Sequence, residues 1–352
     1  MHDVLDSLHE VSADFDTIFT WDYERTRGSL VKLYEKAKTS QWNATTDLDW
    51  SIDVDPEKIG RELGGGGPGR FQALREAEGS PVKHFGDKEW RQVSVEIQNS
   101  LLSQFMHGEQ GALLCTARIV ETVPWVDAKY YAATQVMDEA RHVEVFARYL
   151  DEKLGSQYGI NDNLKGILDD ILRDPRWDIA YLGMQIMVEG LALAAFGLLH
   201  QLTTEPLLKK LLRYVMSDEA RHVAFGVLSL QEFYAELTDA EMRERQEFAF
   251  DVARRLQRRF AHAEMWARMG VDPEAVYRTM DRVNPPAQQM FQRLLFSKIV
   301  PNCKKLGLID AADGWLRERF TEIGVIEFED LADTGEEYAA LDEVARDRET
   351  AA

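Results

Sequence analysis

The pentapeptide Asp-Glu-Ala-Arg-His occurs twice in this chain, at Asp138–His142 and at Asp218–His222, 80 residues apart and each time followed by Val. The two copies contain its only Glu-x-x-His pairs. Glu and His at i and i+3 lie on one side of an α-helix, about 60° apart around the axis. Two such helices facing each other offer two imidazoles and two carboxylates, and a pair of bridged metal ions requires two further carboxylates from two further helices.

The spacing supplies them. Glu109 lies 30 residues before Glu139, and Glu189 lies 30 residues before Glu219. Pro124 is 15 residues from both members of the first pair, and Thr204, just before Pro206, is 15 from both members of the second. In an antiparallel helical hairpin, equal distances from the turn put two residues at one height, here roughly 22 Å from the turn at 1.5 Å per residue. Four helices then aim Glu109, Glu139, His142, Glu189, Glu219 and His222 at one level of a bundle core. Each lies in an apolar stripe, where a lone carboxylate is expensive to bury unless it is paired or bound to metal. Two divalent cations balance four glutamates. Asp138 and Asp218 are candidate partners for the outer nitrogens of the histidines, and Arg141 and Arg221 complete the repeat.

Helical signals dominate from Lys88 onward, and no stretch alternates like a series of strands. The fold class expected is all-α. Asp174-Pro175, Asp272-Pro273 and Asn284-Pro285 pair a cap residue with a first-turn proline. Thr238 and Glu241 form a capping box opening a charged helix expected to reach Met269. Earlier, Thr26–Lys38 reads as a helix and Gln41–Trp50 as an extended segment whose two tryptophans pack on the body. The glycines around Pro68, Gly64 to Gly69, lack the Gly-Lys-Ser/Thr of a phosphate loop and read as a flexible connector. The expected organisation is a lead-in with that connector over 1–87, a four-helix core over 88–236, accessory helices packed on it over 237–326, and a loosely held acidic tail over 327–352.

Composition narrows the function classes. With 352 residues and a net charge of −20, the chain is long enough for a large core and lacks the basic footprint of a nucleic-acid or anionic-membrane binder. The longest apolar run, Gly190–Leu199, is half a membrane span, so no membrane partner is expected. The start carries no basic signal region. Two cysteines, Cys115 and Cys303, point to a reducing cytoplasm.

Glu109, the first Asp-Glu-Ala-Arg-His, Glu189 and the second Asp-Glu-Ala-Arg-His resemble the ferritin-like di-iron carboxylate superfamily, specifically over about residues 90–235. The resemblance implies a ferritin-like four-helix bundle with additional N- and C-terminal helices. It implies that Glu109, Glu139 and His142 hold one iron and Glu189, Glu219 and His222 the other, with Glu139 and Glu219 bridging. The Asp-Glu-x-Arg-His form is similar to the oxygenase branch. No single subgroup fits: Phe146 stands nearest to where reductase subunits carry a radical tyrosine, and Leu193 replaces the hydroxylases' threonine.

The function expected is an O2-activating non-haem di-iron oxidase or oxygenase, with O2 as co-substrate and a small organic molecule hydroxylated or N-oxygenated, desaturation being a third outcome. Ligand identity does not separate iron from manganese, so a manganese–iron pair stands beside di-iron. Ala112, Cys115, Thr116, Ala192, Leu193 and Phe196 are the candidate substrate-pocket residues. No flavin or nicotinamide fingerprint occurs, so an external ferredoxin or flavin reductase is expected to supply electrons. A homodimer is expected. The alternative is a ferroxidase that handles iron without an organic substrate, though a storage shell needs only a unit of about 160–180 residues.

Overall fold

The computed structural model describes residues 8–63 and 70–335. Among these there is no strand; every regular element is helical. In chain order the α-helices are α1 (Gly28–Thr39), α2 (Pro56–Leu63), α3 (Arg70–Glu76), α4 (Asp87–Thr122), α5 (Val126–Tyr149), α6 (Asp162–Arg173), α7 (Trp177–Tyr181), α8 (Glu189–Leu202), α9 (Pro206–Tyr234), α10 (Asp239–Arg258), α11 (Ala263–Arg268), α12 (Pro273–Val283), α13 (Pro286–Leu294), α14 (Ile299–Lys305) and α15 (Ala311–Glu322).

Four rods make the core: α4, α5, the run from α7 to α8, and α9. The hairpin α4–α5 turns at Val123–Trp125 and the hairpin α8–α9 at Thr203–Glu205, and each pair packs along its length. The second turn is fixed by Glu205, whose carboxylate accepts from the N–H groups of Leu207 and Leu208 at 2.8 and 2.6 Å ahead of Pro206. Those bonds satisfy donors that a helix start leaves open. Between α7 and α8 the helix widens to a π-helix over Leu182–Val188, directly before Glu189. The rod Trp177–Leu202 is 26 residues long and apolar enough to span a membrane, yet 83% of its most apolar window is buried in the protein. It is the central core helix.

The remaining elements cover this bundle. α1 lies on α5 and α9, α2 on α4 and α8, and α10 on the π-helix and α15. A smaller core of Leu74, Val93, Ile97, Met265, Trp266 and Val276 joins α3, α11 and α12 to the start of α4.

Several local expectations change. The capping box forms, with Thr238 N–H donating to Glu241 at 2.8 Å, but the helix ends at Arg258 rather than Met269. A 3-10 turn over Arg259–Ala261 and a left-handed His262 (φ 54°) redirect the chain. Asp272 caps α12 as its proline predicts. Asp174 and Asn284 instead close the preceding helices α6 and α12, and Asn284 adopts the left-handed conformation that asparagine tolerates at a helix end. The Gln41–Trp50 segment is a series of turns; Trp42 is buried and Trp50 half-buried. The Gly64–Gly69 connector and the tail beyond 335 lie outside the described residues. Of the acidic tail's first residues, Glu329 meets Arg317 and Lys304, and Thr334 is buried against Asn302 at 2.9–3.0 Å.

Candidate metal centre

Glu109 comes from α4, Glu139 and His142 from α5, Glu189 from the first turn of α8, and Glu219 and His222 from α9. All six side chains meet at one level of the bundle and all are buried, Glu109 being the most exposed at 4%. Donor atoms of Glu109, Glu139, His142 and Glu219 lie within 4.8 Å of one another, and so do those of Glu139, Glu189 and His222. Glu139 belongs to both groups. Its Oε2 is 3.4 Å from His142 Nδ1 and its Oε1 is 3.0 Å from His222 Nδ1. Glu219 spans the same pair, at 3.0 Å from His142 and 3.6 Å from His222. The two carboxylates on the repeat helices therefore lie between the two imidazoles, and Glu109 and Glu189 flank them.

Behind the imidazoles the repeat crosses over. His142 Nε2 donates to Asp218 at 3.1 Å and His222 Nε2 donates to Asp138 at 3.3 Å, so each histidine is held by the aspartate of the other pentapeptide. Arg141 pairs with Asp138 and, at 3.2 Å, with Asp218. Arg221 pairs with Asp218 and, at 3.5 Å, with Asp138. The lead-in segment closes the quartet. Trp42 Nε1 donates to Asp218 at 2.8 Å, and Gln41 donates to Asp138 at 3.2 Å while accepting from Arg141 at 2.9 Å. This arrangement fixes both Nδ1 atoms toward the carboxylates.

The electrostatics follow from burial. Burial pushes the Glu109 carboxyl up to about 8, with the Glu219 charge adding to it. Burial and the charges of Glu139 and Glu219 lift Glu189 well above the carboxylate range. Glu139 is buried as deeply, but the imidazoliums of His222 and His142 outweigh that effect and hold it well below the usual value. Burial would lower both histidines, yet their carboxylate contacts win and raise them well above an ordinary imidazole. Without metal, protons occupy the two Nδ1 positions and the outer glutamates.

The donor set fits two divalent cations. Asp138 and Asp218 are compensated by Arg141 and Arg221, whereas among the described residues the four glutamates pair with no arginine or lysine and meet only the imidazoles of His142 and His222. Glu139 Oε2, Glu189 Oε2, both Glu219 oxygens and His222 Nδ1 are buried without an aligned hydrogen bond. Such orphaned atoms call for a partner, and carboxylate oxygen with imidazole nitrogen suits iron or manganese.

Sequence reasoning under-used Gln135. Its amide donates to Glu139 Oε1 and to Glu189 Oε1, both at 2.9 Å. The legible signal was a glutamine four residues before a glutamate, repeated as Gln185 before Glu189. Of the six expected pocket residues, Leu193 lines an open groove of about 640 Å3 between α8 and α9, beside Met216, Ala220 and Arg213. Ala112, Cys115, Thr116, Ala192 and Phe196 are instead packed into the core. Phe196 stacks near Phe105 and Phe146 at 4.6 and 5.6 Å between ring centres. Burial pushes the Cys115 thiol up, which keeps it inert.

No family model matches the chain, and no curated protein matches it. Solved structures do. One is a point variant of an R2-like ligand-binding oxidase with an anaerobically reconstituted Mn/Fe cofactor, at 19% identity and TM-score 0.50, covering 82% of this chain and 95% of that one. Another variant of such an oxidase, with an aerobically reconstituted Mn/Fe cofactor, gives 17% identity and TM-score 0.52 over 81% and 94% of the two chains. The likeness is one of architecture, and it gives this chain the ferritin-like helical fold.

Proposed function

We propose that the chain is a dinuclear non-haem metal oxidase that uses O2 to oxidise a small organic substrate, with hydroxylation or N-oxygenation favoured over desaturation. The observation that carries this reading is the set of orphaned oxygens on Glu139, Glu189 and Glu219 gathered with the two imidazoles, Glu139 Oε2 at 3.4 Å from His142 Nδ1 and the Glu219 oxygens at 3.0 and 3.6 Å from Nδ1 of His142 and His222. Glu109, Glu139 and His142 would hold one ion and Glu189, Glu219 and His222 the other, with Glu139 and Glu219 shared. Two irons, or manganese with iron as in the similarly folded oxidases, would supply the redox chemistry toward O2.

The protein's own part is positional. Asp218 and Asp138 keep the Nε2 protons of His142 and His222 in place, which leaves Nδ1 free to bind a cation. Gln135 steadies one oxygen each of Glu139 and Glu189. Burial excludes water and strengthens every charge interaction in the site. An external reductase and a homodimeric assembly complete the reading, and two free, buried cysteines agree with a reducing cytoplasm.

Anaerobic Fe(II) loading followed by O2 tests it. Two metal ions per chain, a transient near-ultraviolet or visible band and no mineral at high iron loading are expected. Glu139→Ala and His222→Ala should each lose two-ion stoichiometry. Mineral growth at many irons per chain would establish the storage ferroxidase instead, and full loading of both variants would remove the ligand assignment.

A further inference from the structure

The open groove of about 640 Å3 between α8 and α9 gathers positive charge in a chain that is strongly acidic. Lys36 of α1, Arg213 and Arg221 of α9, and Lys298 just ahead of α14 all line it, and no aspartate or glutamate does. The chain as a whole carries 61 acidic against 41 basic residues, so this lining runs against the composition. Like charges brought to one mouth repel one another unless an anion comes between them. Among the described residues the side chains of Lys36 and Arg213 have no ion pair or hydrogen bond.

Between the cations the walls are apolar, with Leu193, Gly197 and Leu198 from α8 and Met216 and Ala220 from α9. A Cβ on Gly197 would meet only Met216 Cε, at 3.7 Å, so the space above this glycine is open. The volume falls in the range of about 300–1,000 Å3 that takes a small organic molecule. Arg221 forms the inner wall. Its guanidinium is committed to Asp218 and Asp138, the carboxylates that hold His142 and His222. Lys36 and Arg213 are the cations left to meet a ligand.

We propose that this groove binds an organic anion with an apolar body, its acid group held by Lys36 and Arg213 and its body laid along Leu193, Gly197 and Met216. Removing the body from water against these walls supplies affinity. The two cations select the sign of the head group. A cationic molecule finds no carboxylate in the lining, and an inorganic anion leaves the apolar walls wet. The site stands on the groove alone and does not depend on the function proposed above.

Anilinonaphthalene sulfonate is the probe, and its fluorescence rise on the folded full chain is the readout. Wild type should give a saturable rise with one site per chain. Octanesulfonate should reverse it, octanol should do so at least tenfold less well, and inorganic phosphate at equal ionic strength should not. Lys36→Gln and Arg213→Gln should each weaken binding at least threefold, and together at least tenfold, with the urea midpoint unchanged. Lys32→Gln, one turn earlier on α1 and outside the groove, should match wild type. Gly197→Leu, which fills the groove, should abolish the rise; if it does not fold, the double variant decides. Any of five results would overturn the site: no saturable rise in wild type, displacement by octanol or phosphate as effective as by octanesulfonate, wild-type affinity in the double variant, equal loss in Lys32→Gln, or an undiminished rise in folded Gly197→Leu. A rise that appears only on dilution would show a second copy covering the groove, and a lowered urea midpoint in the double variant would mark the two cations as structural. Each of these also overturns it.

Discussion

Gln135 donates into the centre without being a ligand, which makes it a test of how the carboxylates are held. Replacing it with leucine keeps the volume and removes both amide donors, leaving Glu139 Oε1 and Glu189 Oε1 without those bonds. Buried acceptors that lose a partner typically cost about 1–3 kcal/mol. Gln135→Leu should lower the urea-unfolding stability of the metal-free protein by that amount and still bind two metal ions per chain. Unchanged stability would show that the two contacts carry nothing. At this scale the sequence exposed the six donors through their 30-residue and three-residue spacing. It did not expose which aspartate serves which histidine. The contacts, His142 with Asp218 and His222 with Asp138, run between helices rather than along one. Spacing along one helix carries no information about rotation against its neighbour.

Among the elements, the two hairpins were legible because Pro124 and the Thr204–Pro206 stretch mark turns by chemistry that acts locally. The end of α10 was not. No glycine or proline marks Arg259–His262, and a left-handed histidine is imposed by tertiary packing rather than by propensity. The π-helix over Leu182–Val188 was equally silent, since one extra residue in a turn leaves an apolar run looking continuous. Its consequence is measurable at Gly226. A Cβ there would stand 2.6 Å from Gln185 Cβ and 3.2 Å from Ile186 Cδ1, so α9 and the π-helix touch where no side chain fits. The obstructing atom is the root of a side chain and cannot move without its backbone. Gly226→Ala should destabilise the protein by about 1–3 kcal/mol and weaken metal binding, because it drives apart the elements carrying Glu189 and Glu219. Gly197→Ala, whose Cβ meets only Met216 Cε at 3.7 Å, is the matched control and should stay near wild type. Equal urea midpoints for the two variants would remove this account.

For the whole molecule the buried centre gives folding a pH dependence that bound metal should oppose. In the metal-free protein Glu109 and Glu189 have folded pKa values raised above the unfolded value of 4.5, and His142 and His222 values raised above 6.5. A raised folded pKa means the native state keeps a proton that the unfolded chain releases, so the stabilisation is present at low pH and fades as pH climbs. For Glu109 that loss spans from 4.5 to about 8. For the histidines it begins above 6.5. Glu139 and Asp218 act oppositely, since their depressed values cost stability only as acid protonates them. The metal-free protein should therefore lose melting temperature steadily between pH 5.5 and 9. Divalent cations displace the protons on Glu109, Glu189, His142 and His222, so their affinity rises with pH and they stabilise the native state most where it is otherwise weakest. Differential scanning calorimetry of metal-free and manganese-loaded protein should show a gap in melting temperature that widens from pH 5.5 to 9. A gap constant with pH would mean that the metal does not replace those protons, and the six side chains would then not be its ligands.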